Sequence, residues 1–392
     1  MNANHPNVPI NYVARAEVLA PHIAAAADEI ERERRLPAPL LAAIMDAGLF
    51  RLLLPRSLGG AEIDPPTFAL VIEAVAKSDG STAWCLCQNA VCAMVAAWLP
   101  VASAREMFDA PNAVLAWGPG PARAVAVAGG YRVTGNWSFA SGGRHATWLG
   151  AHCPVFEADG TPRLGPAGDP IERTILFPAA EAPMTDIWRV VGLRGTASDA
   201  YAVTDLFVPD ASTLIRDDPA TRRETGALYA MTTNTLYACG FACVALGLAR
   251  SLLDAFVKLA REKIPRGYKT SLRDSAVVQS EIGASEARLR GARMYLMGTL
   301  DEIWEAVQHS NRLDLDQRIA IRLAATHAIH EAVHVADTAY RAAGASAIFD
   351  RNPFERRFRD IHAVAQQVQA RRAHFETVGR HLLGVETDLQ FV

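Results

Sequence analysis

The first hundred residues repeat apolar positions with a helical period, the next hundred lose that period, and the remainder regains it. In residues 12–35, Val18, Leu19, Ile23 and Ile30 fall roughly on one face of an Ala-rich stretch that ends in a charged run, predicting an amphipathic helix. A second helix follows through Leu40, Leu41, Ile44 and Met45, with Gly48 as its stop. Residues 51–60 break on Pro55 and a glycine pair, and residues 66–99 give two more helices. The second of these carries no formal charge between Trp84 and Trp98.

Between residues 113 and 209 glycine and proline increase and short alternating runs appear at 131–133, 174–177 and 202–208, which predicts a compact β-domain. Helical patterns return over 236–263, 280–307, 318–344 and 360–383. Leu289, Leu296, Leu300, Ile303 and Val307 stand at steps of three, four or seven. The expectation is a mainly α protein with a central β-domain. An N-terminal helical domain spans 1–112, a middle β-barrel-like domain 113–215, and a C-terminal four-helix bundle 216–392.

Composition narrows the function classes. Half of the 392 residues are apolar, the net charge is -3, and acids and bases are mixed throughout, so no nucleic-acid-binding stripe stands out. The N-terminus has no basic segment followed by an apolar one, and the longest apolar run, 236–249, is shorter than a membrane span. A cytoplasmic protein that binds neither membrane nor nucleic acid is expected. Six cysteines, at 85, 87, 92, 153, 239 and 243, lack metal-site spacing and read as buried free thiols.

Candidate chemistry concentrates in residues 129–148, GGYRVTGNWSFASGGRHATW. Tyr131, Val133 and Trp137 alternate with Arg132, Thr134 and Asn136, as in a hairpin arm. Residues 138–143 then set Ser138 and Ser141 among small residues, where backbone can approach a flat ligand closely. A β-hairpin with a polar turn accounts for the local pattern equally well.

Six stretches, in order, carry a resemblance. They are Pro55-Arg56-Ser57-Leu58-Gly59-Gly60, Ser81-Thr82-Ala83-Trp84, the W-x-F-x-S-G and H-A-x-W elements of 137–148, Gly192 to Ser198, Asn352-Pro353 to Arg359-Asp360, and Gly379 to Gly384. With the helical–β–helical order, they make the chain resemble the acyl-CoA dehydrogenase superfamily. The closer similarity is to its branch of oxygenase components of two-component flavin-dependent monooxygenases.

The resemblance implies reduced FMN or FAD as cofactor and O2 as co-substrate. A separate NAD(P)H-dependent reductase would supply the flavin, a small apolar or aromatic molecule would be the substrate, and the assembly would be a homotetramer. Trp137, Phe139, Ser141, Gly195, Thr196 and Ser198 would lie at the flavin, with Ser141 near its N5 edge and catalytic through a C4a-hydroperoxyflavin. Trp84 and Asn89 would line the substrate pocket, although Trp84 reads equally well as a core aromatic and a buried Asn89 needs a partner in any case.

The chain departs from that pattern at one point. Relatives carry a histidine several residues after the Arg-Asp pair, where this chain has Gln367, with His362 about a turn earlier. Gln can donate a hydrogen bond but cannot shuttle a proton, so His362 and Gln367 share the expectation for the catalytic role. No glutamate stands where an acyl-CoA dehydrogenase keeps its base; Glu376, Glu386 and Asp388 are out of place. An FAD-dependent acyl-CoA dehydrogenase-like enzyme and a silent flavin-binding protein remain the alternatives. His330-Glu331-Ala332-Val333-His334 satisfies the zinc pattern HExxH but has no evident third ligand, so no metal is expected.

Overall fold

The computed structural model describes residues 10–165, 168–386, 389, 391 and 392; Asp388 lies outside them. Five helices open the chain: α1 (Tyr12–Glu33), α2 (Ala38–Asp46), α3 (Pro65–Ala76), α4 (Gly80–Ala93) and α5 (Val101–Phe108). The Asn11 side chain caps α1 by accepting from Ala14 N at 3.0 Å. That helix buries Leu19, Ile23 and Ile30, whereas Val18, expected on the same face, is exposed. Asp79 caps α4, accepting from both the backbone N–H and the hydroxyl of Thr82 at 2.7 Å.

Seven strands follow: β1 (Leu115–Trp117), β2 (Ala122–Val127), β3 (Gly130–Ala140), β4 (Trp148–Phe156), β5 (Glu172–Pro178), β6 (Asp199–Pro209) and β7 (Thr213–Leu214). They form one sheet in the order β6-β3-β2-β4-β5-β7, with β1 added parallel to β4. The alternation expected from Tyr131 to Trp137 holds, since Tyr131, Val133 and Trp137 are buried and Arg132 and Thr134 exposed. A β-bulge between Trp137 and Ala140, with Phe139 at φ 62°, then breaks it. Beyond the bulge Ala140 and Ser141 are both buried, so the irregularity turns Ser141 inward.

Three long helices, α6 (Thr233–Glu262), α7 (Ala276–Ser310) and α8 (Leu315–Ala343), build the C-terminal domain. From Thr235 through Ala249 every residue of α6 is buried, which explains an apolar run with no polar face. By length and composition α6 could span a membrane, but it is enclosed by the fold, packing against α3, α4 and α8.

The last segment is not the single long helix expected over 360–383. It divides into α9 (Phe354–Val364), a 3-10 turn (Val368–Ala370) and α10 (Ala373–Leu382). Tertiary contacts at the break explain the division. Gln369 Oε1 accepts from the buried Arg322, and His374 Nε2 donates to Val368 O at 2.7 Å, so side chains replace helical partners there.

Candidate active site

Four side chains from three separate stretches of the chain form one row of hydrogen bonds. Trp84 Nε1 of α4 donates to Ser141 Oγ at 2.9 Å. Ser141 Oγ lies 2.7 Å from Ser198 Oγ, and Ser198 Oγ lies 2.7 Å from Thr196 Oγ1. Thr196 Oγ1 donates to the Leu193 carbonyl at 2.9 Å. A carbonyl can only accept, so this last bond gives the row its polarity: Ser198 donates to Thr196, and Ser141 to Ser198. Ser141 thus spends its proton, accepts one N–H, and keeps one lone pair.

The loop carrying Thr196 and Ser198 is held from three sides. Leu193, at φ 53°, donates its N–H to Asp360 Oδ1 of α9 at 2.6 Å. Gly195 donates to Ser81 Oγ at 3.1 Å, and a Cβ at this glycine would overlap Ile30 of α1. Thr196 O accepts from Gly142 N at 2.9 Å. Burial, with a further push from the Asp79 carboxylate, raises the Asp360 carboxyl to about 7. Burial also raises Asp79. Positive φ at Leu193 and at Ala197 (44°) is backbone strain that these bonds offset.

Asn89 joins the site through its amide. Its Nδ2 donates to Leu115 O at 3.1 Å and Ser141 O at 3.3 Å, leaving Oδ1 to accept from His145 Nε2 at 3.1 Å. That bond puts the proton of His145 on Nε2, and burial pushes the imidazole down to about 4. A Cβ on Gly142, at φ 76°, would overlap Asn89 Oδ1, so glycine is required beside the pair. Sequence reasoning gave His145 no role; its only signal was the histidine of the H-A-x-W element.

Trp84 stacks on Phe241 of α6 with ring centroids 3.8 Å apart and planes 16° apart, and Phe241 stacks in turn on Tyr237 at 5.6 Å. Trp84 and Gln88, one turn apart, are the two residues of α4 that are not buried.

The remaining sequence candidates divide. Phe139 is exposed and meets Trp188 edge-on at 5.8 Å. Trp137 is wholly buried within the sheet domain, stacked on Tyr201 at 5.2 Å, because strand alternation points it into the core. Gly195 contributes close packing, with its N–H already committed to Ser81. His362 does not join the hydroxyl row; its Nε2 pairs with Asp337 of α8 at 2.9 Å and its ring packs on Phe358. Gln367 accepts from Gln369 N at 2.7 Å, while its Nε2 is buried and without a partner.

Two of the HExxH side chains are committed elsewhere. His330 Nε2 donates to Ala370 O at 3.0 Å, and Glu331 pairs with Arg288 at 2.8 Å. All six cysteines are free and buried.

Two family models match: acyl-CoA dehydrogenase, N-terminal domain, over residues 14–99, and acyl-CoA dehydrogenase, C-terminal domain, over residues 239–372. The chain belongs to the acyl-CoA dehydrogenase superfamily. Indole-3-acetate monooxygenase of Pseudomonas putida is 28% identical over 91% of this chain and 89% of its own. The flavin-dependent monooxygenase oxygenase subunit HsaA of Rhodococcus jostii is 27% identical over 89% of this chain and 92% of its own. Among solved structures, XiaF from Streptomyces in complex with FADH2 and glycerol superposes with a TM-score of 0.88 at 26% identity, covering 96% of each chain. Within the superfamily the chain therefore stands with the flavin-dependent monooxygenases.

Proposed function

We propose that this protein is the oxygenase component of a two-component flavin-dependent monooxygenase. It takes reduced flavin from a separate NAD(P)H-dependent reductase, uses O2, and adds oxygen to a small aromatic or heteroaromatic molecule. The observation that carries the reading is the directed row Trp84–Ser141–Ser198–Thr196, which leaves Ser141 one uncommitted lone pair able to accept from a ligand. The relatives' names support it: one acts on indole-3-acetate, another is an oxygenase subunit, and a third structure holds FADH2.

The residues fit a flavin. Reduced flavin, when bound, supplies the electrons that activate oxygen. Ser141 would accept from the N5–H that only the reduced ring carries, with Thr196 and Ser198 fixing its hydroxyl. Phe139 would flank the ring. The orphaned Gln367 Nε2 would donate a hydrogen bond during oxygen transfer, while His362 stays with Asp337. The Trp84–Phe241–Tyr237 stack would form an apolar wall that excludes water from the reacting atoms. In this reading the protein is a cytoplasmic homotetramer.

The test is to bind reduced flavin without oxygen, mix rapidly with oxygenated buffer, and follow absorbance. A transient distinct from oxidised flavin is expected. Direct appearance of oxidised flavin at every candidate substrate would overturn the reading. Reduction of tightly held flavin by an acyl-CoA would replace it with a dehydrogenase.

A further inference from the structure

Resting on that reading, we infer that Arg322 of α8 is a positioning residue for Gln367, acting through Gln369. Arg322 is 1% exposed, and among the described residues it is the only lysine or arginine that is buried. Its Nη1 donates to Gln369 Oε1 and its Nη2 to Phe391 O, and its Nε is without a partner. No Asp or Glu among the described residues pairs with it. Burial pulls the guanidinium down to about 10. Neutral oxygens return only part of the cost of taking a cation out of water, so stability alone does not account for a charge at this position.

What an arginine supplies here, and an apolar side chain cannot, is a rigid fork that fixes two acceptors relative to each other. One acceptor belongs to residues 391 and 392, which are themselves seated on the helices. Arg318 Nη1 donates to Val392 O at 3.4 Å, Val392 packs with Ile319 of α8 and Val378 of α10, and Arg371 lies over the Phe391 ring at 5.5 Å. The other acceptor is the side chain of Gln369, in the 3-10 turn between α9 and α10. Two more α8 side chains hold the backbone of that turn: Thr326 Oγ1 donates to Gln369 O at 3.4 Å and His330 Nε2 to Ala370 O at 3.0 Å. Arg322 is the member of this set that grips the Gln369 side chain.

Gln369 in turn decides how the Gln367 amide lies. The two ends of an amide side chain have nearly the same shape, and a backbone N–H can bond only the oxygen end. Gln369 N donates to Gln367 Oε1 at 2.7 Å, so the Nε2 end is directed elsewhere, buried and with its donors unspent. Every link from Phe391 through Arg322 and Gln369 to Gln367 is a direct hydrogen bond. Without the grip on Gln369, the N–H that sets the Gln367 amide is free to shift. An amide that turns over presents an oxygen, which cannot donate.

The test compares the parent, Arg322→Met, Gln367→Ala and the double variant, with Arg322→Lys keeping the buried charge but not the fork. In flavin-free protein, hydrogen exchange over residues 367–371 is expected to be about tenfold faster in Arg322→Met while α8 stays protected, the size of one charge-assisted hydrogen bond. After rapid mixing of the reduced-flavin protein with oxygenated buffer, Arg322→Met is expected to shorten the transient several-fold. The dissociation constant of reduced flavin should stay that of the parent, and the same substitution should change nothing further in Gln367→Ala. Arg322→Lys is expected to fall between the parent and Arg322→Met, and it decides the question if Arg322→Met does not fold. Unchanged exchange, an unchanged lifetime in the Arg322 variants or in Gln367→Ala, equal shortening in both backgrounds, or a loss of flavin affinity in its place overturns the inference and leaves the monooxygenase reading standing. A parent that gives no transient with any candidate substrate overturns both.

Discussion

The indole N–H of Trp84 lies 2.9 Å from the hydroxyl oxygen of Ser141, fifty-seven residues away in the chain, and it fills one of that oxygen's two lone pairs. The other is uncommitted within the row, because the Ser141 proton is already drawn toward Ser198 and, through Thr196, toward the Leu193 carbonyl.

Removing either partner has a defined consequence. Ser141→Ala leaves the Trp84 N–H without an acceptor and is expected to lower stability by about 1–3 kcal/mol. Trp84→Phe keeps the stack on Phe241 and removes the donor. The double variant should be less destabilised than the sum of the two single variants, by about 1 kcal/mol, because each removes the other's unmet partner. Urea unfolding of the four proteins checks this; strict additivity would mean the bond contributes nothing. Ser141→Ala should also lose about tenfold of any preference for reduced over oxidised flavin, read from the two dissociation constants.

Asp360 gives the protein an acid-side stability term of unusual sign. Its carboxyl is raised from 3.8 to about 7 by burial and by Asp79, so the folded state holds a proton that the unfolded chain releases. The contribution is fully present below pH 3.8 and is lost as pH rises toward 7, by up to about 1.4 kcal/mol per pH unit. Asp360→Asn retains an acceptor for Leu193 N–H and removes the titration. Relative to the parent, it is expected to be more stable at pH 8 than at pH 5.5, as read from unfolding midpoints. The same difference at both values would place the proton elsewhere.

Gln367 and His362 are separated by another pair of substitutions. Gln367→Glu keeps an oxygen for Gln369 N–H and replaces the unpartnered Nε2, so it should shorten the oxygen-dependent transient several-fold with the fold intact. His362→Asn should leave that lifetime unchanged. It removes the partly exposed pair with Asp337, which is expected to cost at most about 1 kcal/mol. Rapid-mixing absorbance distinguishes the two, and the reverse ranking would restore His362 as the acting group.

Much of the architecture is written in local pattern. The period of Leu289, Leu296, Leu300, Ile303 and Val307 specifies the buried face of α7, and the alternation of Tyr131, Val133 and Trp137 specifies a strand with one face inward. The same alternation, taken literally, sends Trp137 into the core. The expectation that it meets a flavin came from the resemblance and not from the alternation.

What the tertiary structure alone decided is which polar atoms meet. Ser141, Ser198 and Trp84 were each visible as residues, but their row depends on a bulge at Phe139 and on a loop fastened by Asp360 and Ser81. The break after α9 depends on Arg322 and His374 in the same way, since their hydrogen bonds replace helical ones that the sequence period would have continued. Periodicity reports which face of an element is buried, because burial acts on each residue's own apolar surface. Hydrogen-bond partnership is a property of pairs brought together across long loops, and no single segment of the chain encodes it.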